Sequence, residues 1–314
     1  MRAVYWKKGS LYILDQTVLP LKLRWLRCTK VSEVCHAIKV LAVRGAPAIG
    51  VAAAYGMVLS KRSKADAKSL KASRPTAVDL EHAVDFVLSE IRGGKSALDA
   101  AMLWDNTNTE KCKSISERGA SLIKKGSTIL THCNTGFLAT NKYGSALGAI
   151  KEAAKQGKKI HVIVDETRPR LQGSLTSWEL LRERIHHTVI VDSAAGFLMR
   201  TGKIDAVMVG ADRIVKNGDF ANKIGTCSLA MLAKECGVPF YVLAPMSSFD
   251  RKIANGNKIK IEIRDSSEIL GKAFKKTKAL NLAFDVTPSR YVTGYVNEFG
   301  VFRRIESLWK STKE

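Results

Sequence analysis

The second half of the chain alternates between two periods, and that alternation constrains its fold more than any other feature. Apolar runs of strand length stand at 128–132, 159–164, 188–191, 206–209 and 240–243. Longer segments with helical spacing separate them, near 143–155, 175–184, 193–200 and 225–236. Strands that are apolar on both faces need cover on both faces, and helical connections supply it by returning the chain to the same edge of a sheet. The pattern predicts an α/β fold with a Rossmann-like parallel sheet in a domain spanning 126–314. Residues 284–288 followed by 291–298 read as a last strand and helix.

The first 125 residues have a different rhythm. Short strands at 4–6 and 11–14 flank Lys7-Lys8-Gly9-Ser10, a hairpin signal. Residues 21–26 alternate and suggest a third strand. A helix is expected from Ser32 to about Val43. A second runs from Pro47, suited to a first helical turn, through small residues to about Ser60. Residues 61–73 read as a polar surface segment, and Arg74-Pro75-Thr76-Ala77-Val78 as the start of another helix. Two more helices are expected at 96–105 and 109–124. Residues 1–125 are thus expected to form a domain of a small β element plus a helical bundle.

Bulk composition excludes several classes. No apolar stretch is long enough to span a membrane, and Met1 to Lys8 has no apolar signal core. Six scattered cysteines, with no C-x-x-C pair and no zinc-like Cys/His spacing, suggest a reducing cytoplasm and no metal. No G-x-G-x-x-G follows the first strand of the sheet, so no dinucleotide cofactor is indicated. Lys plus Arg number 51 against 29 Asp plus Glu, a net charge of +22. The basic residues are spread along the chain, and the densest cluster, 272–278, is short with one aromatic, Phe274. A solvated basic surface fits this better than a nucleic-acid site.

Polar residues fall at the carboxyl ends of the predicted strands: Cys133, Asp165, Asp192 and Asp212. In an open parallel sheet those ends share one rim, where ligands bind. Asp212 opens a stretch that continues through Asn222-Lys223-Ile224-Gly225-Thr226, where an amide, an ammonium and backbone N–H groups are expected at a helix start, an anion cradle. Cys133 precedes a helical segment, which favours thiolate. By position alone each has a bland alternative. A lone cysteine after a strand is commonly a small buried apolar residue, and an aspartate in a turn is commonly a helix cap. His132 fits a structural role, and Arg44 beside Gly45 and Ala46 fits either a phosphate contact or a surface cap.

Together these motifs resemble the 5-methylthioribose-1-phosphate isomerase family. The resemblance is carried by Arg44-Gly45-Ala46-Pro47-Ala48-Ile49-Gly50, Arg74-Pro75-Thr76-Ala77-Val78, His132-Cys133-Asn134, Glu166-Thr167-Arg168-Pro169-Arg170-Leu171-Gln172-Gly173, Gly210-Ala211-Asp212-Arg213, Asn217-Gly218-Asp219, Asn222-Lys223-Ile224-Gly225-Thr226 and Phe284-Asp285-Val286-Thr287-Pro288. It runs from about Leu14 to Gly300. The wider superfamily includes ribose-1,5-bisphosphate isomerase and non-catalytic regulatory subunits of a translation-initiation exchange factor. The resemblance implies a homodimeric, cofactor-free isomerase of methionine salvage acting on a phosphorylated sugar. It implies Cys133 and Asp212 as the catalytic pair, and Arg44, Gly45, Ala46, Arg74, Gln172, Asn222 and Lys223 as substrate-binding. Asp79 stands where the family usually has Asn, Thr135 and Phe137 replace small residues, and Leu282 replaces a common Pro.

The implied chemistry sets requirements. With phosphate on its anomeric carbon the sugar cannot open freely, so the ring oxygen must be protonated before hydrogen moves between C2 and C1. Asp212 is expected as proton donor, its pKa raised in a water-poor pocket backed by Val207-Met208-Val209. Cys133 is expected as base or transition-state stabiliser. Arg44, Arg74 and Lys223 are expected to neutralise the phosphate.

Overall fold

The fold is that of a computed structural model, and it describes residues 1–74, 78–270 and 277–311. Pro75, Thr76 and Ala77 of the motif after Arg74, and most of the 272–278 basic cluster, lie outside the described residues. The chain forms two compact units. One comprises Met1–Lys113 with Thr135–Gly144, the other Ser114–Asn134 with Ser145–Glu314.

The first unit opens with an antiparallel sheet of β1 (Val4–Lys7), β2 (Ser10–Leu14) and β3 (Trp25–Cys28). Lys8 and Gly9, both at positive φ, make the two-residue turn between β1 and β2. Its twist matches that of paired strands, so the expected hairpin forms. The third strand begins later than expected, because Leu21 and Leu23 are exposed. Helices α1 (Val31–Lys39), α2 (Ala46–Val58), α3 (Ser63–Ser73), α4 (Val78–Arg92) and α5 (Ala97–Ser121) follow. The short α6 (Phe137–Thr140) belongs to the same unit.

Helix α2 is the centre of this unit. Every residue from Ala48 to Met57 is buried, as expected of a helix that is apolar all round. Its small residues set the spacing of its neighbours. A Cβ at Gly50 would lie 3.1 Å from the Asp79 carbonyl oxygen of α4, and one at Gly56 would lie 3.1 Å from Leu70 of α3. Two expectations are corrected here. The polar segment 61–73 lies at the surface as expected, but from Ser63 to Ser73 it is a helix, with Ala67 and Leu70 buried on one face. Residues 96–124 hold one long helix, not two. Asn108, where a break was expected, donates its side-chain amide to the Thr140 carbonyl instead of competing for the helix backbone.

The second unit is built on a seven-stranded sheet. In chain order its elements are β4 (Thr128–Thr131), α7 (Ala146–Lys155), β5 (His161–Asp165), α8 (Gln172–Arg182), β6 (His187–Ile190), α9 (Ala195–Arg200), β7 (Ala206–Val209), β8 (Arg213–Val215), β9 (Phe220–Lys223), α10 (Thr226–Glu235), β10 (Phe240–Leu243), β11 (Phe249–Asp250), β12 (Ile263–Arg264), β13 (Asn281–Leu282), β14 (Phe284–Thr287), β15 (Gly294–Val296), β16 (Val301–Phe302) and α11 (Ile305–Ser311). The sheet order is β16-β15-β10-β7-β4-β5-β6, parallel except for the edge strand β16.

Alternate residues of each strand serve opposite faces. Leu130, Ile163, Val207 and Val209 join a core with α9, α10 and α11. Ile129, Val162, Val164, Ala206 and Met208 join a second core with α7, α8 and the end of α5. Both faces are covered, as the apolar runs require. The five apolar runs all form strands of this sheet, and the strand expected at 284–288 forms as β14 in a separate sheet. The expected last helix does not: residues 294–296 pair in parallel with β10 as β15. The polar loop expected after Gly210 contains two strands. β8 and β9 form a hairpin, extended by β11 and β14 into a small four-stranded sheet. Among the described residues no helix is long and apolar enough to cross a membrane.

Candidate active site

The sheet changes winding direction between β4 and β7. These strands are neighbours, with Leu130 opposite Val207 and Thr131 opposite Met208. The chain leaving β4 goes on to β5 and β6 on one side, and the chain leaving β7 goes to β10 and β15 on the other. Loops from the carboxyl ends of two such strands diverge and open a crevice, the usual ligand position in an open parallel sheet. Cys133 is the second residue beyond β4, and Asp212 the third beyond β7.

Cys133 is half-buried and sits at φ +66, a region uncommon outside glycine. Two threonines brace its backbone. Its N–H donates to Thr167 Oγ1 at 2.9 Å, and its carbonyl accepts from Thr176 Oγ1 at 2.7 Å. Thr176 lies one turn beyond Gln172 on α8, so the buried Gln172 and the Cys133 turn share a support. Gly173 lets α8 start against the end of β5: a Cβ there would fall 2.1 Å from the Asp165 carbonyl oxygen.

Asp212 differs from expectation. Val207, Met208 and Val209 are buried, but Asp212 is exposed. The chain has left the sheet by Gly210, and the Asp212 N–H donates to the Ala221 carbonyl at 3.0 Å, at the start of the β8–β9 hairpin. The water-poor pocket expected from the strand sequence therefore does not surround this carboxylate.

Asn222 and Lys223 are buried and lie on β9, not on a helix start. Asn222 donates to Thr226 Oγ1 at 3.0 Å. The Lys223 ammonium donates to the Ala283 carbonyl at 2.7 Å and lies 4.3 Å from the Phe284 ring centre. The anion cradle expected at the start of α10 is also corrected. Gly225 caps that helix at φ +103, and Asp285 Oδ2 accepts from the N–H groups of Gly225 at 2.8 Å and Cys227 at 3.1 Å. Strand β14 delivers this carboxyl by pairing Asp285 with Asn222. Burial pushes the Asp285 pKa up, against the pull of those N–H groups and of His132.

Beneath the rim lies a buried polar cluster. His132 Nδ1 is 2.9 Å from Asp165 Oδ2, and His132 Nε2 is 2.8 Å from the Ile224 carbonyl oxygen. Burial alone would lower the His132 pKa, but the hydrogen bond and charge of Asp165 and the Ile224 carbonyl outweigh it and raise it. Burial raises that of Asp165 against the pull of His132. His132, Asp165 and Asp192 each bring a potential ligand atom within 4.8 Å of the others. Their oxygens and nitrogens are largely engaged with protein, since Asp192 accepts the N–H groups of Thr167 and Arg168 at 2.8 Å each. This is a hydrogen-bonded brace.

Arg44, Gly45, Ala46 and Arg74 belong to the first unit. Arg44 donates to the carbonyls of Leu41 at 3.1 Å and Gln16 at 3.4 Å. Gly45, at φ +81, is the N-cap of α2. Arg74 follows the last residue of α3. Asp165 stood among the strand-end residues read from the sequence, while the bracing roles of Thr167, Thr176 and Asp285 went unassigned. Asp285 stood in a recognised motif, but only the pairing of β14 with β9 reveals it as a cap.

Comparison with known proteins gives consistent results. Residues 42–304 match the initiation factor 2 subunit family. The chain is 47% identical to methylthioribose-1-phosphate isomerase of Aquifex aeolicus, over 96% of this chain and 69% of that protein. It is 46% identical to the enzyme of the same name from Thermotoga maritima, over 96% and 95%. Among solved structures it resembles 5-methylthioribose 1-phosphate isomerase from Pyrococcus horikoshii, with TM-score 0.90 and 37% identity over 99% of this chain and 95% of that one. It also resembles a translation initiation factor eIF-2B delta subunit from A. fulgidus, with TM-score 0.89 and 39% identity over the whole of both chains.

Proposed function

The chain belongs to the initiation factor 2 subunit family and, within it, to the methylthioribose-1-phosphate isomerases, and from that premise we infer that it converts 5-methylthioribose 1-phosphate to 5-methylthioribulose 1-phosphate in methionine salvage. The observation that carries the mechanism is the position of Cys133 and Asp212 on the loops leaving β4 and β7, where the sheet changes winding direction. Asp212 protonates the ring oxygen, and the ring C1–O bond breaks. Hydrogen then moves from C2 to C1, and the C2 hydroxyl becomes the ketone as its proton passes to Cys133 acting as base or back to the Asp212 carboxylate. Cys133 serves as base or stabilises the charge that develops during this shift. Substrate binding is assigned to Gln172, Asn222 and Lys223 and to Arg44, Gly45, Ala46 and Arg74. Arginine forks suit phosphate oxygens. The reaction requires no cofactor.

The parallel strands, numbered in chain order, stand 3-2-1-4-5-6, the order of doubly wound nucleotide-binding folds, which supports a Rossmann-like reading of the 126–314 domain after an N-terminal domain of 1–125. The enzyme works as a cytoplasmic homodimer.

The test is turnover of 5-methylthioribose 1-phosphate against ribose 1,5-bisphosphate. The reading expects ketose formation from the former and far slower turnover of the latter. The likeness to the A. fulgidus subunit, together with the charge of +22, favours one second reading, a non-catalytic translation-initiation subunit. Absence of turnover combined with RNA binding that weakens steeply with salt would support that reading instead.

A further inference from the structure

His132 directly precedes Cys133, and its ring is buried with both nitrogens engaged. A carbonyl oxygen only accepts, so the nitrogen facing Ile224, Nε2, carries a hydrogen. The short contact between Nδ1 and Asp165 Oδ2 holds one further proton, on one atom or the other. In either state the ring is fixed at both ends.

The two ends attach to different parts of the rim. Asp165 closes β5. Ile224 lies between Lys223 and Gly225, and the backbone of Gly225 comes so near that a Cβ there would be 3.0 Å from His132 Cε1. Ala221, on the same strand as Asn222 and Lys223, holds the Asp212 N–H. One imidazole therefore joins the turn that carries Cys133 to the strand end that carries Asn222 and Lys223 and also anchors Asp212. Asp165, Glu166, Asp192 and Asp285 are the acidic groups that act on or near this cluster.

We propose that His132 is a positioning residue: through its Nε2–H bond to the Ile224 carbonyl it sets the Cys133 turn against the end of β9 that carries Asn222 and Lys223, so that both address one substrate. The proposal rests on the isomerase reading above. It assigns His132 no contact with substrate.

Two amide variants separate the ends of the ring. In His132→Gln the side-chain amide reaches the place of Nε2 and keeps the bond to Ile224. In His132→Asn it reaches only the place of Nδ1 and keeps the bond to Asp165. A misplacement of about 1 Å in an active site costs on the order of 100-fold. His132→Asn is expected to lose about that factor in kcat/KM, through both a lower kcat and a higher KM, while His132→Gln stays within about tenfold of the parent. The rate of Cys133 alkylation by iodoacetamide, located by mass spectrometry, is expected to change in His132→Asn and not in His132→Gln, with Cys236 as the internal control. Equal activity of the two variants, or a loss of thermal stability with unchanged kcat and KM in His132→Asn, would overturn the proposal. If the parent protein fails to turn over methylthioribose 1-phosphate, the isomerase reading falls, and the alkylation contrast still decides the role of His132. Ring ¹⁵N shifts of the parent protein give a check independent of any variant's folding: a hydrogen on Nε2 is expected, and a bare Nε2 contradicts the proposal.

Discussion

Helices α2 and α10 both begin at a glycine with positive φ, Gly45 at +81 and Gly225 at +103, but their N-termini are treated differently. At α10 the Asp285 carboxyl occupies the helix start and accepts the N–H groups of Gly225 and Cys227. At α2 the N-cap Gly45 has no side chain to offer, and Arg44 stands immediately before it. A helix start already holding a carboxyl has little left to offer a phosphate, because the dipole and the donors are engaged. With the start of α10 held by Asp285, the Arg44-Gly45-Ala46 turn is the phosphate contact proposed for this chain, and Asn222 and Lys223 are proposed as sugar contacts.

The largest expected effect is at Gly45. A Cβ there would lie 2.3 Å from the Ala139 carbonyl oxygen and 2.6 Å from its Cα, in a backbone region closed to side chains. Gly45→Ala should cost more than about 3 kcal/mol, read as a lowered denaturant midpoint. Gly225→Ala should cost less, about 1–3 kcal/mol, because its close neighbour is a ring edge and not backbone. Equal costs would break the contrast between the two turns.

Arg44→Gln comes next. It should raise KM for the sugar phosphate on the order of 10- to 100-fold with a smaller change in kcat, since a charge-assisted contact contributes about 1.5–3 kcal/mol. An unchanged KM would move the phosphate away from α2.

The smallest effects are at Asp285. Asp285→Ala should cost about 1 kcal/mol as a lost cap. Asp285→Asn should cost less at neutral pH, since the amide oxygen still accepts. The sign of the pH dependence follows from the raised pKa. The folded protein binds this proton more tightly than the unfolded chain, so the contribution is present below the unfolded value of about 3.9 and is lost as pH rises through the higher folded value. Wild-type stability should therefore fall relative to Asp285→Asn as pH rises above about 4. A relative gain would show that the charge, not the hydrogen bonds, makes the cap.

Much of this was legible in the sequence, for a physical reason. Strands buried on both faces leave apolar runs such as Ala206-Val207-Met208-Val209, and the runs locate the rim on which Cys133 and Asp212 stand. Pairing partners leave no such local trace. Residues 294–296 form a strand because β10 offers them a free edge, and the isolated Gly294-Tyr295-Val296 segment does not encode that. Asp285 caps a helix that begins about 60 residues earlier, and His132 meets a carbonyl about 90 residues later. The exposure of Asp212 has no local trace either, since three buried residues precede it and the chain turns out of the sheet only at Gly210.

The most direct test of the central claim is steady-state turnover of 5-methylthioribose 1-phosphate by the parent protein, Cys133→Ser and Asp212→Asn, each checked for folding and substrate binding. The parent should form the ketose phosphate, and both variants should bind substrate and form almost none. Full activity in either variant, or none in the parent, would contradict the assignment.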